Sequence, residues 1–283
     1  MSTSSGQPYV VTAPWLAEHL HDPAVVVVDC RFDLMAPERG QQQYDAGHIL
    51  GAYYLDLEQN LSSPRQSFGG RHPLPDPQKL AATLASMGVS ADTLVVAYDD
   101  SRLAYAARCW WLLRWLGHDR VAVLDGGYSH YVAAGYPTTT ERPKARQGQM
   151  TRALRTDWVV DRSGVMAAQT NPQTTIVDAR EPYRYRGERE PIDPVAGHIP
   201  GAVNYPWVEI TERNGCLKST AALEQYWQPL AQVPEIIVYC GSGVTACVDI
   251  LGMAIAGLQQ TKLYAGSWSD WCAYLQASFQ DSL

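Results

Sequence analysis

Short apolar runs alternate with helical patterns along the whole chain. Val25-Val26-Val27-Val28, Leu94-Val95-Val96-Ala97-Tyr98, Thr175-Ile176-Val177 and Ile236-Ile237-Val238-Tyr239 read as buried strands. Residues 80–87, 103–116, 221–230 and 245–256 read as helices. The Trp-rich stretch Cys109-Trp110-Trp111-Leu112-Leu113-Arg114-Trp115 is apolar around much of its circumference, so it is expected to pack and not to hold a cofactor. This alternation predicts an α/β fold, a parallel sheet with helices on both faces. Ligands of such sheets bind beyond the carboxyl ends of the strands.

The pattern occurs twice. Ala46-Gly47-His48-Ile49-Leu50-Gly51-Ala52 returns as Ala196-Gly197-His198-Ile199-Pro200-Gly201-Ala202. Upstream of each copy a strand ends in aspartate, Asp29 or Asp178, with an arginine two residues later, Arg31 or Arg180. Downstream, the strand at 94–98 matches 236–239, and Asp125-Gly126-Gly127-Tyr128 echoes Ala265-Gly266-Ser267-Trp268. A long repeat present only twice means two homologous domains and not a solenoid. The expected boundaries are 8–138 and 156–283, with 139–155, polar and without periodicity, as a linker. His48 and His198, like Asp29 and Asp178, recur in both halves and are expected to be structural.

Composition narrows the function. With 283 residues the chain suits two domains, and 46% apolar against 18% charged residues describes an ordinary globule. A net charge of −7 offers no basic footprint, so no nucleic-acid partner is expected. No apolar run approaches membrane-spanning length, and residues 1–7 lack a basic stretch followed by a hydrophobic one. Six cysteines without regular spacing do not form a disulfide framework, so a reducing cytoplasm is the expected location.

One cysteine stands apart. Cys240 lies in Tyr239-Cys240-Gly241-Ser242-Gly243-Val244-Thr245, between a strand and a helix. Backbone N–H groups of such a turn converge on one atom, and the helix N-terminus adds partial positive charge, which suits a sulfur anion. Gly241 and Gly243 are expected to let the backbone curl around it. Cys30, Cys109, Cys247 and Cys272 sit in apolar segments and read as small core residues, although a resolving role for Cys247 stays open; Cys216 reads as a turn residue. In the first copy Asp99 stands where Cys240 stands in the second, followed by Asp100-Ser101-Arg102, so that half is expected to be catalytically silent.

The duplicated Gly-His-Ile-x-Gly-Ala element and the loop from Cys240 to Thr245 resemble the tandem-domain rhodanese superfamily of sulfurtransferases, over nearly the whole chain. Within it, Gly-Ser-Gly-Val-Thr after the cysteine is similar to the 3-mercaptopyruvate branch, whereas thiosulfate-using members more often carry Arg-Lys-Gly-Val-Thr. A doubly charged thiosulfate gains more from two loop cations, and Gly241 and Ser242 are neutral. The resemblance implies two rhodanese-like domains and a Cys240 persulfide formed in ping-pong fashion. Backbone N–H groups of Gly241, Gly243, Val244 and Thr245 would cradle donor and persulfide. It further implies a small donor (3-mercaptopyruvate or thiosulfate), an acceptor such as thioredoxin, a small thiol or cyanide, and no metal or cofactor.

The same resemblance places Arg184 at a carboxylate-binding arginine, since a planar guanidinium fork pairs with a carboxylate in two bonds. The ordinary alternative is a surface arginine paired with Glu181 or Glu188, which is the reading for Arg180 and Arg186. A second substrate arginine precedes the Gly-His-Ile element in the family; here Pro191-Ile192-Asp193-Pro194-Val195 fills that stretch, and Arg189 is the nearest candidate. A relay of Ser242, His72 and Glu58 is also implied, with Asp56 competing for the acidic place and a turn histidine beside prolines as the alternative for His72. Ala265 departs from the family's Asp-Gly-Ser-Trp, with a modest effect on loop support expected.

Other thiol chemistries fit less well. A cysteine phosphatase needs arginine where Ala246 stands, and a Cys-x-x-Cys oxidoreductase needs cysteine where Gly243 stands. The alternatives within the superfamily are a thiosulfate:cyanide sulfurtransferase and a non-catalytic sulfur- or redox-sensing module.

Overall fold

The structure, a computed structural model, describes residues 8–280. The N-terminal stretch 1–7, read above for a leader, lies outside the described residues. The chain forms two compact units, and neither is continuous in sequence. The first comprises the chain to Leu61, Asp76–Leu154 and Arg213–Leu217; the second comprises Ser62–Pro75, Arg155–Glu212 and the chain from Lys218.

The first unit runs β1 (Val10–Val11), α1 (Ala13–His19), β2 (Val25–Asp29), α2 (Glu38–Ala46), β3 (His48–Ile49) and β4 (Tyr53–Tyr54). It continues with α3 (Pro77–Ser86), β5 (Leu94–Tyr98), α4 (Ala106–Trp115), β6 (Val121–Leu124), α5 (Gly127–Ala133) and β7 (Thr138–Thr139). The second runs β8 (Val159–Val160), α6 (Arg162–Ala168), β9 (Thr174–Asp178), α7 (Pro182–Tyr185) and β10 (Val203–Asn204). It ends with α8 (Thr220–Trp227), β11 (Glu235–Tyr239), α9 (Ala246–Ile255), β12 (Thr261–Tyr264) and α10 (Ser267–Gln280).

Each unit holds a five-stranded parallel sheet flanked by helices. The orders, β1-β6-β5-β2-β4 and β8-β12-β11-β9-β10, are the same topology element for element. β2 and β5 are buried at every position, because helices cover both faces of a parallel sheet; their sequences are therefore apolar runs, which β2 closes with the paired Asp29. α4 is buried along its whole length, as its tryptophans require. Cys30, Cys109, Cys247 and Cys272 are buried and Cys216 is half-buried, all as free thiols.

The repeated motif has a physical cause in both units. Asp29 ends β2 opposite Tyr98, and its carboxylate takes the Arg31 guanidinium and the Tyr98 hydroxyl (2.7 Å). Arg31 reaches on to the Gly47 carbonyl (2.7 Å), and the Tyr98 oxygen accepts the Ile49 N–H (3.2 Å). Asp178, Arg180, Tyr239, Gly197 and Ile199 repeat every one of these bonds. His48 and His198 stack on Tyr44 and Tyr185 and bond the same tyrosines' carbonyls through Nδ1 at 2.8 and 2.7 Å. These residues tie the Gly-His-Ile turn to the end of the central strand.

Residues 139–154 are not a free linker. Thr138–Thr139 pair antiparallel with His48–Ile49, Arg146 bridges Met87, and the N–H groups of Gly148 and Ala153 bond Ala85 and Leu116. The segment has no apolar periodicity because it is held by backbone bonds. Arg213–Leu217 joins the first unit through the Leu217 N–H and the Asp125 carboxylate (2.7 Å).

Asp29→Ala strands the buried Arg31 and is expected to cost about 3–5 kcal/mol. The guanidinium chloride midpoint measures it; a loss below ~1 kcal/mol contradicts the role given to this ion pair.

Candidate active site

Cys240 follows the last residue of β11 and is 2% exposed. The turn after β12 clamps it on both sides: its N–H donates to Ser267 Oγ (3.1 Å), and its carbonyl accepts the Trp268 N–H (3.0 Å). Ser269 N–H then takes the Gly241 carbonyl (2.9 Å). Ser267, at φ 56°, is itself fixed by donating Oγ to the Tyr264 carbonyl. Support for the loop beside Ala265 comes from Ser267 and Ser269.

The two loop glycines serve different ends. Gly243 has φ 76°, and a Cβ there would lie 2.4 Å from the Ala265 carbonyl oxygen, so the curl requires glycine. Gly241 needs no positive φ. Its constraint is space, because a Cβ would sit 3.0 Å from Arg71 Nη2 and 3.4–3.5 Å from the Arg184 guanidinium. Val244 is buried, and Thr245 leads into α9, whose N-terminus faces this turn.

Ser62–Pro75 brings a histidine to the loop. Gly70, at φ 84°, lies so close to Gly266 that a Cβ would be 2.4 Å from its carbonyl oxygen. Gly69 N–H donates to Asp270 (2.6 Å) and Arg71 N–H to Ser269 Oγ (3.1 Å). His72 Nδ1 thereby lies 2.8 Å from Ser242 Oγ, with both residues buried. Glu58 belongs to the first unit, where it is exposed and donates its N–H to Asp56 (2.8 Å). With Asp56, Tyr53 and Tyr54 it lines a cavity of about 690 Å³ there.

The arginines divide clearly. Arg184, buried on α7, bonds Glu190 (2.7 Å) and Asp193 (3.2 Å), with Glu181 at 3.8 Å. Arg71 pairs with the other oxygen of Asp193. Arg180 belongs to the Asp178 ion pair, and Arg186 is exposed on Glu188. Arg189 is exposed, and the second guanidinium beside Gly241 comes from Arg71. Sequence reasoning missed Arg71 although it adjoins His72, because only the fold of 62–75 places it there. Burial pushes the Asp193 carboxyl up, against the pull of Arg71 and Arg184. Glu190, also raised by burial, ends below its ordinary value through hydrogen bonds from Arg184 and Asp193 N–H.

The first unit displays the same turn filled by its own anion. Asp99 accepts backbone N–H bonds from Ser101 (2.8 Å), Leu103 (3.1 Å), Tyr105 (2.8 Å) and Ala106 (2.9 Å). A strand-to-helix turn of this fold can therefore converge four N–H groups on one negative group. Arg102 and Leu103 adopt φ 57° and 70° to do so.

Cys247 is buried, its Sγ 3.5 Å from the Gly243 carbonyl. Two residues on, Asp249 is buried, and among the described residues neither carboxyl oxygen has a hydrogen-bond partner. Burial pushes it far up, and the nearby Cys240 and Asp178 add to the shift. Among the described residues no group of three or more His, Cys, Asp or Glu could hold a metal ion, and no helix is long and apolar enough to cross a membrane.

The chain belongs to the rhodanese-like domain family, whose model matches residues 12–134 and again 163–274. A Pseudomonas aeruginosa protein named a probable 3-mercaptopyruvate sulfurtransferase is 43% identical, covering 93% of this chain and 94% of its own length. A Mycobacterium tuberculosis protein with the provisional name thiosulfate sulfurtransferase SseB is 37% identical over 93% of each. The crystal structure of SseA from Escherichia coli, a 3-mercaptopyruvate enzyme, has TM-score 0.79 at 34% identity, covering 93% of this chain and all of that one.

A raised Asp249 binds its proton more tightly folded than unfolded. Its contribution is fully present below the unfolded value near 3.8 and is lost as pH rises from there toward the folded value. Asp249→Asn removes that loss, so the difference in Tm, variant minus wild type, should rise between pH 4 and pH 8. A difference that stays flat contradicts a neutral Asp249.

Proposed function

We propose that the chain moves sulfane sulfur from 3-mercaptopyruvate to a thiol or cyanide through a persulfide on Cys240. The observation that carries this reading is the clamped Cys240 turn with His72 and Ser242 hydrogen-bonded beside it and two guanidinium groups over Gly241. The names of the relatives support it.

In the first half-reaction the Cys240 thiolate attacks the donor sulfur. The carbon–sulfur bond breaks, its electron pair passes to the pyruvate enolate, and a proton completes pyruvate. Arg184 and Arg71 orient the donor carboxylate. Ser242, held by His72, hydrogen-bonds the donor carbonyl as the enolate develops. N–H groups of Gly241, Gly243, Val244 and Thr245 hold the negative sulfur. In the second half-reaction a small thiol, thioredoxin or cyanide attacks the outer sulfur, and Cys240 leaves as thiolate. The cycle suits a reducing compartment such as the cytoplasm, where Cys240 stays unoxidised. Thiosulfate, which would leave as sulfite, is the second reading, favoured by the name of the mycobacterial relative.

Steady-state kcat/KM for both donors, with cyanide as acceptor, tests the proposal. Wild type should prefer 3-mercaptopyruvate, and Cys240→Ser should abolish turnover. Ser242→Ala and His72→Gln should lower kcat by about 10²-fold or more. A preference for thiosulfate selects the second reading. Turnover that survives Cys240→Ser, or none in wild type, overturns the enzyme reading.

A further inference from the structure

Asp193 is a buried carboxylate with one oxygen on Arg71 and the other on Arg184, its side chain only 2% exposed. Both guanidinium groups also lie over Gly241, next to the nucleophile. The charges meeting at this corner are Arg71, Arg180 and Arg184 against Asp178, Glu190 and Asp193, with Glu181 half-exposed at the rim. Every guanidinium is matched by a carboxylate of the chain itself. Arg180 is committed to Asp178 and Arg184 largely to Glu190, so among the described residues Asp193 alone bridges the two arginines that reach the loop.

We propose that Asp193 is a specificity-determining residue, a built-in carboxylate that caps the positive charge of Arg71 and Arg184 so that the site accepts a singly charged carboxylate donor and discriminates against a dianion. The inference rests on the sulfurtransferase reading for the donor but not for the charge at Cys240. A donor carboxylate can share the outer N–H groups of two arginines already bridged by one carboxylate, because each guanidinium carries five donors. A dianion gains less, since the excess charge that would attract it has been cancelled a few ångströms away. Asp193 acts through the arginines and touches no reacting atom, so it positions and tunes them.

Alkylation of Cys240 reads this charge without any turnover. The ratio of second-order rates for iodoacetate, an anion, and iodoacetamide, its neutral analogue, cancels differences in thiol reactivity and folding. Asp193→Asn should raise that ratio on the order of tenfold at low ionic strength, with the gain shrinking as salt is added. Arg71→Met should lower it, and this second variant carries the test if Asp193→Asn does not fold. With the donors, Asp193→Asn should raise the thiosulfate to 3-mercaptopyruvate ratio of kcat/KM, chiefly through KM for thiosulfate. An alkylation ratio unchanged in both variants, or both donors weakened equally, overturns the proposal. If wild type turns over neither donor while the alkylation ratio still shifts as stated, the sulfurtransferase reading fails and the charge assignment stands.

Discussion

A negative group must be held at the end of a buried strand, where little water can solvate it. An unpaired anion in such a place is expensive, and backbone N–H groups converging from a strand-to-helix turn offset the cost without adding a cation. The fold supplies this turn twice. In the first unit Asp99 fills it with a carboxylate that takes four N–H bonds and closes the site on itself. In the second unit Cys240 stands at the corresponding place, between β11 and α9.

Much of the remaining structure keeps that turn rigid. Ser267 and Trp268 clamp Cys240, Ser269 clamps Gly241, and Asp270 with Ser269 anchors the 62–75 segment that delivers Arg71 and His72. One helix start therefore fixes Cys240, His72 and Arg71 together. The Asp178–Arg180–Tyr239 node locks the neighbouring Gly-His-Ile turn to the same strand end. Reactivity needs this rigidity, since a hydrogen bond displaced by an ångström forfeits most of its effect.

Where the fold was legible, burial made it so. β2 and β5 have the limits their sequences predicted, because strands covered on both faces admit a polar residue only where it is paired, as Asp29 is at the end of β2. α4 begins at Ala106 and not at Leu103, because Arg102 and Leu103 are bent into positive φ by the Asp99 knot. The two-residue strands β1, β4, β8 and β10 are too short to show any period. The place of Cys240 between strand and helix was legible because strand, glycines and helix adjoin it in sequence. Arg71 and Asp193 were not, because an irregular segment rich in proline and glycine carries no pattern that reveals what it packs against. Residues 139–154 misled for the same reason: backbone bonding to Ala85 and Leu116 leaves no side-chain signature.

The most direct test of the central claim is the mass of the intact protein after one equivalent of 3-mercaptopyruvate, with peptide mapping of the product. A single sulfur atom on Cys240, formed together with one pyruvate and removed by cyanide as thiocyanate, is the predicted result. Pyruvate released with no sulfur on Cys240, or sulfur carried on another cysteine, would contradict the account.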